Sequence, residues 1–148
     1  MIQPGHILLV EDDKLDADLA IKSLKNEKIY NTIDWVKDGQ EALDYLRFKG
    51  TYSNREKIQP ILVLLDLKMP KINGIEVLQS IRTDANLKKL PVVILTSSKE
   101  EQDLVNAYNL NVNAYVVKPV DFVQFTEAIR QIGSFWIIYN EPPPDKYV

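Results

Sequence analysis

The chain has 148 residues, of which 45% are hydrophobic and 26% are charged, as in an average soluble globular protein, and this length fits one domain. Its net charge of −3 argues against direct nucleic acid binding, which usually needs a clustered basic face. Because the chain has no cysteine, disulfides and thiolate metal sites are excluded, and no apolar run approaches the roughly 18 residues of a membrane span. The composition therefore predicts a cytoplasmic protein without a membrane partner.

Short apolar runs alternate with amphipathic segments along the chain. Runs that are apolar throughout are typical of strands buried on both faces, as in a parallel sheet. Strands are predicted over residues 7–10, 32–36, 61–65, 91–95 and 114–117. Helices are predicted over residues 14–25, 39–48, 75–81, 99–109 and from about residue 121 onward. This alternation predicts a doubly wound α/β fold, with a mostly parallel sheet covered by helices on both faces.

Local patterns support individual elements. The first helix is indicated by Leu15, Leu19, Ile21 and Leu24, which recur near helical spacing. Residues 49–60 are polar and contain glycine and proline, which predicts a loop between the second helix and the third strand.

The C-terminal part changes character after residue 133. Its aromatic pair, Phe135 and Trp136, has two open interpretations, a cover for the end of the core or part of a dimer contact. The run Pro142-Pro-Pro144 forbids further helix. The sequence therefore predicts a folded domain over residues 1–138 and an extended tail over residues 139–148.

Polar side chains follow four of the predicted strands. Glu11 and Asp12 come directly after the first strand, Asp66 after the third, Thr96 after the fourth and Lys118 after the fifth. In open α/β sheets, ligands bind at the carboxyl ends of the strands, where these residues should converge. Carboxylates at short range repel one another, and a divalent cation would resolve that conflict. Hard oxygen ligands of this kind favour Mg²⁺.

The segments around these residues resemble the receiver domains of two-component response regulators. They are Leu9-Val-Glu-Asp-Asp13, Leu64-Leu-Asp-Leu-Lys-Met-Pro70 with Asn73-Gly74, Val93-Ile-Leu-Thr-Ser97 and Ala114-Tyr-Val-Val-Lys-Pro119. Each segment alone is a modest signal, but all occur in order, each after a predicted strand, and the resemblance covers about residues 5–133. It implies the chemotaxis-receiver-like fold with the flavodoxin-like strand order 2-1-3-4-5.

The resemblance also implies a role for each site residue. Asp66 would be the phosphoacceptor, whose carboxylate attacks the phosphohistidine of a sensor histidine kinase. Lys118 would pair with Asp66 and then with the phosphoryl oxygens. Mg²⁺ would be held by Glu11, Asp12, Asp66 and the backbone carbonyl of Lys68. Asp13, the third acid of the run, is expected to lie at the start of the first helix instead.

Further residues are implied to switch or to tune the domain. Thr96 would donate its hydroxyl to the phosphoryl group, and Tyr115 matches the aromatic side chain that moves inward when Thr96 is drawn to the phosphate. Lys68 and Ser98 occupy positions where family members tune the lifetime of the acyl phosphate. Such a protein is a phosphoacceptor that promotes its own phosphorylation and dephosphorylation, and it is not a conventional enzyme.

The segment 49–60 and the ending Gly133-Ser-Phe-Trp136 resemble stand-alone regulators that pair with phytochrome-type histidine kinases. This resemblance implies a homodimer built through the fourth helix, the fifth strand and the fifth helix. No output domain for DNA binding or catalysis is expected, so the signal would pass to a downstream protein, to the dimer or along a phosphorelay.

Other functions fit the sequence less well. A phosphatase with an Asp-x-Asp motif needs an acid where Lys68 lies, and a flavin carrier needs a phosphate loop where the acidic run lies. The motif of P-loop nucleotidases is missing. A pseudo-receiver that acts only as an interaction module remains the binding alternative, although such domains usually lose the acids or the lysine.

Overall fold

The computed structural model describes residues 5–26, 31–69, 71–118 and 122–132. The strands are β1 (Ile7–Val10), β2 (Ile33–Val36), β3 (Leu62–Asp66), β4 (Val92–Thr96) and β5 (Ala114–Val117). The helices are α1 (Lys14–Asn26), α2 (Gly39–Arg47), α3 (Gly74–Thr83), α4 (Lys99–Ala107) and α5 (Phe122–Ile132). All strand pairs are parallel, and their order is β2-β1-β3-β4-β5. The predicted fold class and strand order are therefore confirmed.

Two apolar layers cover the sheet, because successive residues of a strand point to opposite faces. In β3, Leu62 and Leu64 pack in one layer with residues of α1 and α5. The intervening Val63 and Leu65 pack in the other layer with residues of α2 and α3. Every residue of β1, β3 and β4 is buried. Covering both faces leaves the carboxyl ends of the central strands as the place where polar groups can be reached.

The first helix forms as predicted, and small residues make up much of its buried face. Leu15 and Leu19 are 69% and 43% exposed, whereas Ala17, Ala20 and Leu24 are buried. Alanine has no side chain beyond Cβ, so these positions let α1 lie close to the sheet. Of the four residues that indicated this helix, Leu24 is buried and Ile21 packs against the core, whereas Leu15 and Leu19 lie on the exposed side.

The segment after α2 is more ordered than the predicted loop. It contains a short 3-10 helix, Gly50–Tyr52. Farther along, the guanidinium carbon of Arg55 lies 3.7 Å from the ring centre of Tyr45 and 4.3 Å from that of Phe48. Arg55 also donates a hydrogen bond of 2.7 Å to the Tyr45 carbonyl oxygen. These contacts fasten the segment to α2 through a cation held over two rings.

The turn after β3 has no room for a side chain at Gly74. A Cβ there would overlap the carbonyl oxygen of Asp66 and the Cα of Leu67. The Gly74 amide donates to the Leu67 carbonyl oxygen at 3.0 Å. Asn73 caps α3 in a reciprocal box with Glu76, which satisfies backbone donors at the start of the helix. This close packing fixes the backbone directly after Asp66.

No helix in the described part of the chain is long and apolar enough to cross a membrane. The predictions for Asp121, Phe135, Trp136 and the tail over residues 139–148 fall outside the described residues.

Candidate functional site

The strand register brings the predicted site residues to one edge of the sheet. Val10 is paired with Leu65, so Glu11 and Asp66 follow at the same level of neighbouring strands. Val117 is paired with Thr96, and the Lys118 amide donates to the Thr96 carbonyl oxygen at 2.8 Å. Two acids, a hydroxyl and a lysine thus lie at the ends of four adjacent strands, β1, β3, β4 and β5.

Asp66 is buried, with 4% of the residue exposed, and both oxygens of its carboxylate have a donor. Oδ1 accepts a hydrogen bond of 3.2 Å from the Lys68 backbone amide. Oδ2 lies 3.3 Å from Nζ of Lys118. These two donors position the Asp66 carboxylate at the edge of a cleft.

Lys118 is shared among three carboxylates. Its Nζ lies 2.5 Å from Glu11 Oε1, 3.1 Å from Asp16 Oδ2 and 3.3 Å from Asp66 Oδ2. Burial alone would lower the pKa of Lys118, but the surrounding carboxylates outweigh it and raise the pKa above its ordinary value. The lysine is therefore a fixed positive charge at the strand ends.

One lysine does not balance the acids around it. Burial and the neighbouring Asp66 carboxylate raise the pKa of Glu11 to about 8, even though Lys118 acts to lower it. Oxygen atoms of Glu11, Asp12 and Asp66 all lie within 4.8 Å of one another, and Asp12 faces solvent. Three converging carboxylates with one open side suit a hard divalent cation. The residues present therefore fit the metal site that the sequence suggested.

The third acid of the run has a different role. The Asp13 carboxylate accepts a hydrogen bond of 2.9 Å from the Asp16 amide, and the Asp13 carbonyl accepts from Ala17. Asp13 is thus the cap at the start of α1, as expected. Its carboxylate is not one of the three clustered carboxylates, although its backbone amide donates to Glu11 Oε2 at 3.3 Å. On the other side of β1, the indole of Trp35 donates to the Glu11 carbonyl oxygen at 2.7 Å.

Thr96 is completely buried, and its hydroxyl points into the start of α4. Its Oγ1 lies 2.7 Å from Glu101 Oε2 and 2.7 Å from the Ser98 carbonyl oxygen. Within the described ranges, these are its acceptors, and Asp66 is not among them. Thr96 therefore lies at the predicted strand end without touching the predicted phosphoacceptor.

The remaining predicted residues lie around this edge. Nζ of Lys68 forms an ion pair of 3.3 Å with Glu101 Oε1, and its side chain is 72% exposed. Ser98 is the N-cap of α4, and its hydroxyl accepts from the Glu101 amide. The hydroxyl of Tyr115 donates to Asn106 Oδ1 at 3.1 Å, so the ring connects β5 to α4.

Two residues that contact predicted site residues, Asp16 and Glu101, were not predicted from the sequence. Asp16 lies five residues after Glu11, in the first turn of α1, and its carboxylate contacts Lys118. Glu101 is five residues after Thr96, so the helix turn that follows β4 brings it back to the strand end. Both are acidic residues in the first turn of a helix that directly follows a strand carrying a site residue. That position in the sequence could have indicated them.

Comparison with known proteins places the chain in a family. The family model described as the response regulator receiver domain matches residues 7–130. Response regulator Rcp1 of Synechocystis sp. is 40% identical over 134 residues, which cover 90% of this chain and 90% of Rcp1. The crystal structure of the Mn²⁺-bound form of Rcp1 has a TM-score of 0.72 and 38% identity, and the match covers 95% of this chain and all of that chain.

Two further solved structures are similar. The structure of bacteriophytochrome response regulator RtBRR has a TM-score of 0.87 and 53% identity, and the match covers 96% of this chain and 86% of that chain. The phosphorylated cyanobacterial phytochrome response regulator RcpA has a TM-score of 0.73 and 40% identity, with 90% of this chain and 94% of that chain covered. The predicted resemblance to phytochrome-associated regulators is confirmed. The chain belongs to the family of response regulator receiver domains.

Proposed function

We propose that this protein is a phosphorelay response regulator whose Asp66 accepts a phosphoryl group from a histidine kinase. The observation that carries the proposal is the setting of the Asp66 carboxylate. It is held between the ammonium of Lys118 and the amide of Lys68, beside the carboxylates of Glu11 and Asp12. RcpA, a relative, is known in a phosphorylated form.

The transfer exchanges one bond to phosphorus for another. An oxygen of Asp66 attacks the phosphorus of a phosphohistidine, and an O–P bond forms as the N–P bond breaks. The histidine nitrogen keeps the electron pair of the broken bond. Lys118 stabilises the charge on the phosphoryl oxygens during the transfer. The same site later admits water that hydrolyses the acyl phosphate, so the protein acts on itself and is not a conventional enzyme.

A magnesium ion would complete the site. Glu11, Asp12, Asp66 and the backbone carbonyl of Lys68 are the proposed ligands, since hard oxygen donors suit Mg²⁺. When bound, the ion supplies positive charge to the phosphoryl oxygens. The clustered carboxylates and the Mn²⁺-bound form of the relative Rcp1 support a divalent cation here.

The proposed metal ligands include Asp12 but not the adjacent Asp13. Asp12→Asn should raise the dissociation constant for Mg²⁺ by about tenfold or more, a loss of about 1.4 kcal/mol, because one charged ligand is lost. Tryptophan fluorescence during a Mg²⁺ titration measures this constant, since Trp35 is bonded to the backbone of Glu11.

Asp13→Asn is the matched control for that titration. It removes the same charge at the next residue, and asparagine still caps a helix. Mg²⁺ should bind this variant nearly as it binds the wild type. Equal weakening in the two variants would mean that only the overall charge of the acidic run matters.

Phosphorylation is then expected to change the surface formed by α4, β5 and α5. The hydroxyl of Thr96 turns from α4 to the phosphoryl group, and Tyr115 moves inward into the space that Thr96 leaves. This proposal is supported by the present bond of Tyr115 to Asn106 in α4, which such a movement would break. The added charge of the phosphoryl group, roughly −1.5 to −2, is sufficient to bias such a two-state element.

Acetyl phosphate tests the acceptor directly. With Mg²⁺, the wild type should gain the mass of one phosphoryl group, and Asp66→Asn should gain none because the amide is not a nucleophile. Intact mass spectrometry measures both, with a Mg²⁺-free sample as the control. A gain in Asp66→Asn would assign another acceptor. No gain in either protein, together with no binding of beryllofluoride, would favour a pseudo-receiver that acts only as an interaction module.

Lys68 is proposed to tune the lifetime of the acyl phosphate, together with Ser98, which caps α4 beside the site. The Lys68 side chain lines the cleft that contains Asp66 and Lys118, where it can obstruct the attacking water. Lys68→Ala should speed dephosphorylation by at least about threefold, equivalent to about 0.6 kcal/mol in the barrier. The decay of phosphorylated protein after removal of acetyl phosphate measures the rate.

Two variants sharpen that measurement. Lys68→Met keeps the length without the charge, and Lys71→Ala removes a lysine of the same loop that pairs with Asp38 instead. If obstruction is the cause, Lys68→Met and Lys71→Ala decay like the wild type. An unchanged rate in Lys68→Ala would remove Lys68 from this role.

A phytochrome-type histidine kinase is the proposed donor, and the cytoplasm is the proposed compartment. We further propose a homodimer through α4, β5 and α5, with an unidentified protein downstream and no direct nucleic acid contact. Exposed apolar side chains on these elements support the dimer; they are Leu104, Tyr108, Val117 and Val123.

The dimer can be tested at Val117, which is 42% exposed on the edge strand β5. Val117→Asp should weaken dimerisation by at least about tenfold, or about 1.4 kcal/mol, because the interface would bury an unpaired charge. Light scattering after size exclusion measures the mass with and without beryllofluoride. Leu15→Asp, on α1, is the matched control and should leave the dimer intact. Monomers in all wild-type samples would contradict the proposed dimer.

A further inference from the structure

Glu101 is a buried acid that the proposed chemistry does not use. It lies in the first turn of α4, with 8% of the residue exposed. Burial alone would raise the pKa of its carboxyl, but hydrogen bonds from Thr96, Lys68 and Ser97 outweigh burial and lower the pKa. Glu101 is therefore an ionised carboxylate within the protein, close to a site that is proposed to receive another anion.

Four donors surround this carboxylate. Oε2 lies 2.7 Å from the Thr96 hydroxyl oxygen and 3.3 Å from the Ser97 amide nitrogen. Oε1 lies 3.2 Å from the Ser97 hydroxyl oxygen and 3.3 Å from Nζ of Lys68. A hydroxyl, a backbone amide and an ammonium are also the groups that bind phosphoryl oxygens. Glu101 thus occupies donors of the type that a phosphorylated Asp66 would need.

The hydroxyl of Thr96 cannot serve two anions at once. It has a single proton, and its acceptors are Glu101 and the Ser98 carbonyl, each at 2.7 Å. Of these two, the ionised carboxylate is the stronger acceptor, since charge-assisted hydrogen bonds are roughly twice as strong as neutral ones. Any bond from Thr96 to a phosphoryl group on Asp66 must therefore replace its bond to Glu101.

We propose that Glu101 is a positioning residue that holds the Thr96 hydroxyl and the Lys68 ammonium away from Asp66 until a phosphoryl group competes for them. This inference rests on the proposed phosphorylation of Asp66 and goes beyond it. Glu101 favours the resting arrangement, so it sets how strongly the phosphoryl group must attract Thr96 before the domain switches.

The same residue links the site to the helix. Its side chain holds Thr96 and Lys68, while its backbone amide donates to the cap residue Ser98. Release of Thr96 therefore removes one of the bonds that fasten the first turn of α4 to the end of β4. The state of Asp66 and the attachment of α4 are coupled through one carboxylate.

A double-mutant cycle at Glu101 and Thr96 tests the inference, with beryllofluoride at saturating Mg²⁺ as the probe. Beryllofluoride mimics a phosphoryl group on an aspartate. Glu101→Gln keeps the shape and a neutral acceptor, and Thr96→Val keeps the shape without the hydroxyl. Tryptophan fluorescence gives the beryllofluoride affinity of the wild type, each single variant and the double variant. Thermal unfolding of each protein establishes that it is folded.

The Glu101→Gln variant should bind beryllofluoride roughly fivefold more tightly than the wild type, because a neutral acceptor competes about half as well for the Thr96 proton. In the Thr96→Val background the same change should have an effect of no more than about twofold, since the shared hydroxyl is gone. Glu100→Gln is the matched control, because it removes an exposed charge from the same helix turn, and its affinity should equal that of the wild type.

Three results would overturn the inference. One is unchanged or weaker binding of beryllofluoride by Glu101→Gln. Another is the same tightening with and without the Thr96 hydroxyl, which would reduce Glu101 to a nearby charge. The third is failure of the wild type to bind beryllofluoride at all, which would overturn the proposed phosphorylation as well. If the wild type binds beryllofluoride but the effects of Glu101→Gln and Thr96→Val are additive, only the role of Glu101 is overturned.

Discussion

The competition of three carboxylates, two of them buried, for one lysine is the constraint on which the rest of this structure depends. Lys118 contacts Glu11, Asp16 and Asp66, and these acids come from β1, α1 and β3. Like charges at this spacing repel unless a cation lies between them. The parallel sheet meets this requirement by ending β1, β3 and β5 at one edge, with both faces sealed by apolar layers. A divalent cation beside Lys118 would balance the remaining negative charge of these carboxylates.

Much of this arrangement could be predicted from the sequence because it depends on short-range patterns. Apolar runs identified all five strands, and the residues that follow the predicted first, third and fifth strands identified Glu11, Asp66 and Lys118. Side-chain direction was harder to predict. In α1 the apolar spacing indicated the helix, but Leu15 and Leu19 are exposed, and Ala17 and Ala20 pack on the sheet beside Leu24. Periodicity records where apolar residues recur, and it does not record how near the helix lies to the sheet.

The contacts that sequence reasoning missed are those made across a turn. Glu101 returns to Thr96 only because the helix starts immediately after β4 and Ser98 caps it. Arg55 fastens the segment after α2 by lying over Tyr45 and Phe48. Neither contact follows from composition, since each depends on the path of a loop. The sequence pattern thus locates the residues at the strand ends, but it does not show which neighbours hold them.

The turns that follow β1, β2 and β3 contain residues that are constrained for two different reasons. A side chain at Gly74 would overlap the backbone of Asp66 and Leu67, and one at Gly39 would overlap the carbonyl of Ile72. These glycines serve folding, and they need no contact with phosphate or metal to be indispensable. Exposed Asp12 is the opposite case, because the fold places little demand on it. A lineage that abandoned phosphorylation could therefore discard Asp12 early and still have to keep both glycines, so a degenerate descendant would retain the outline of a site it no longer uses.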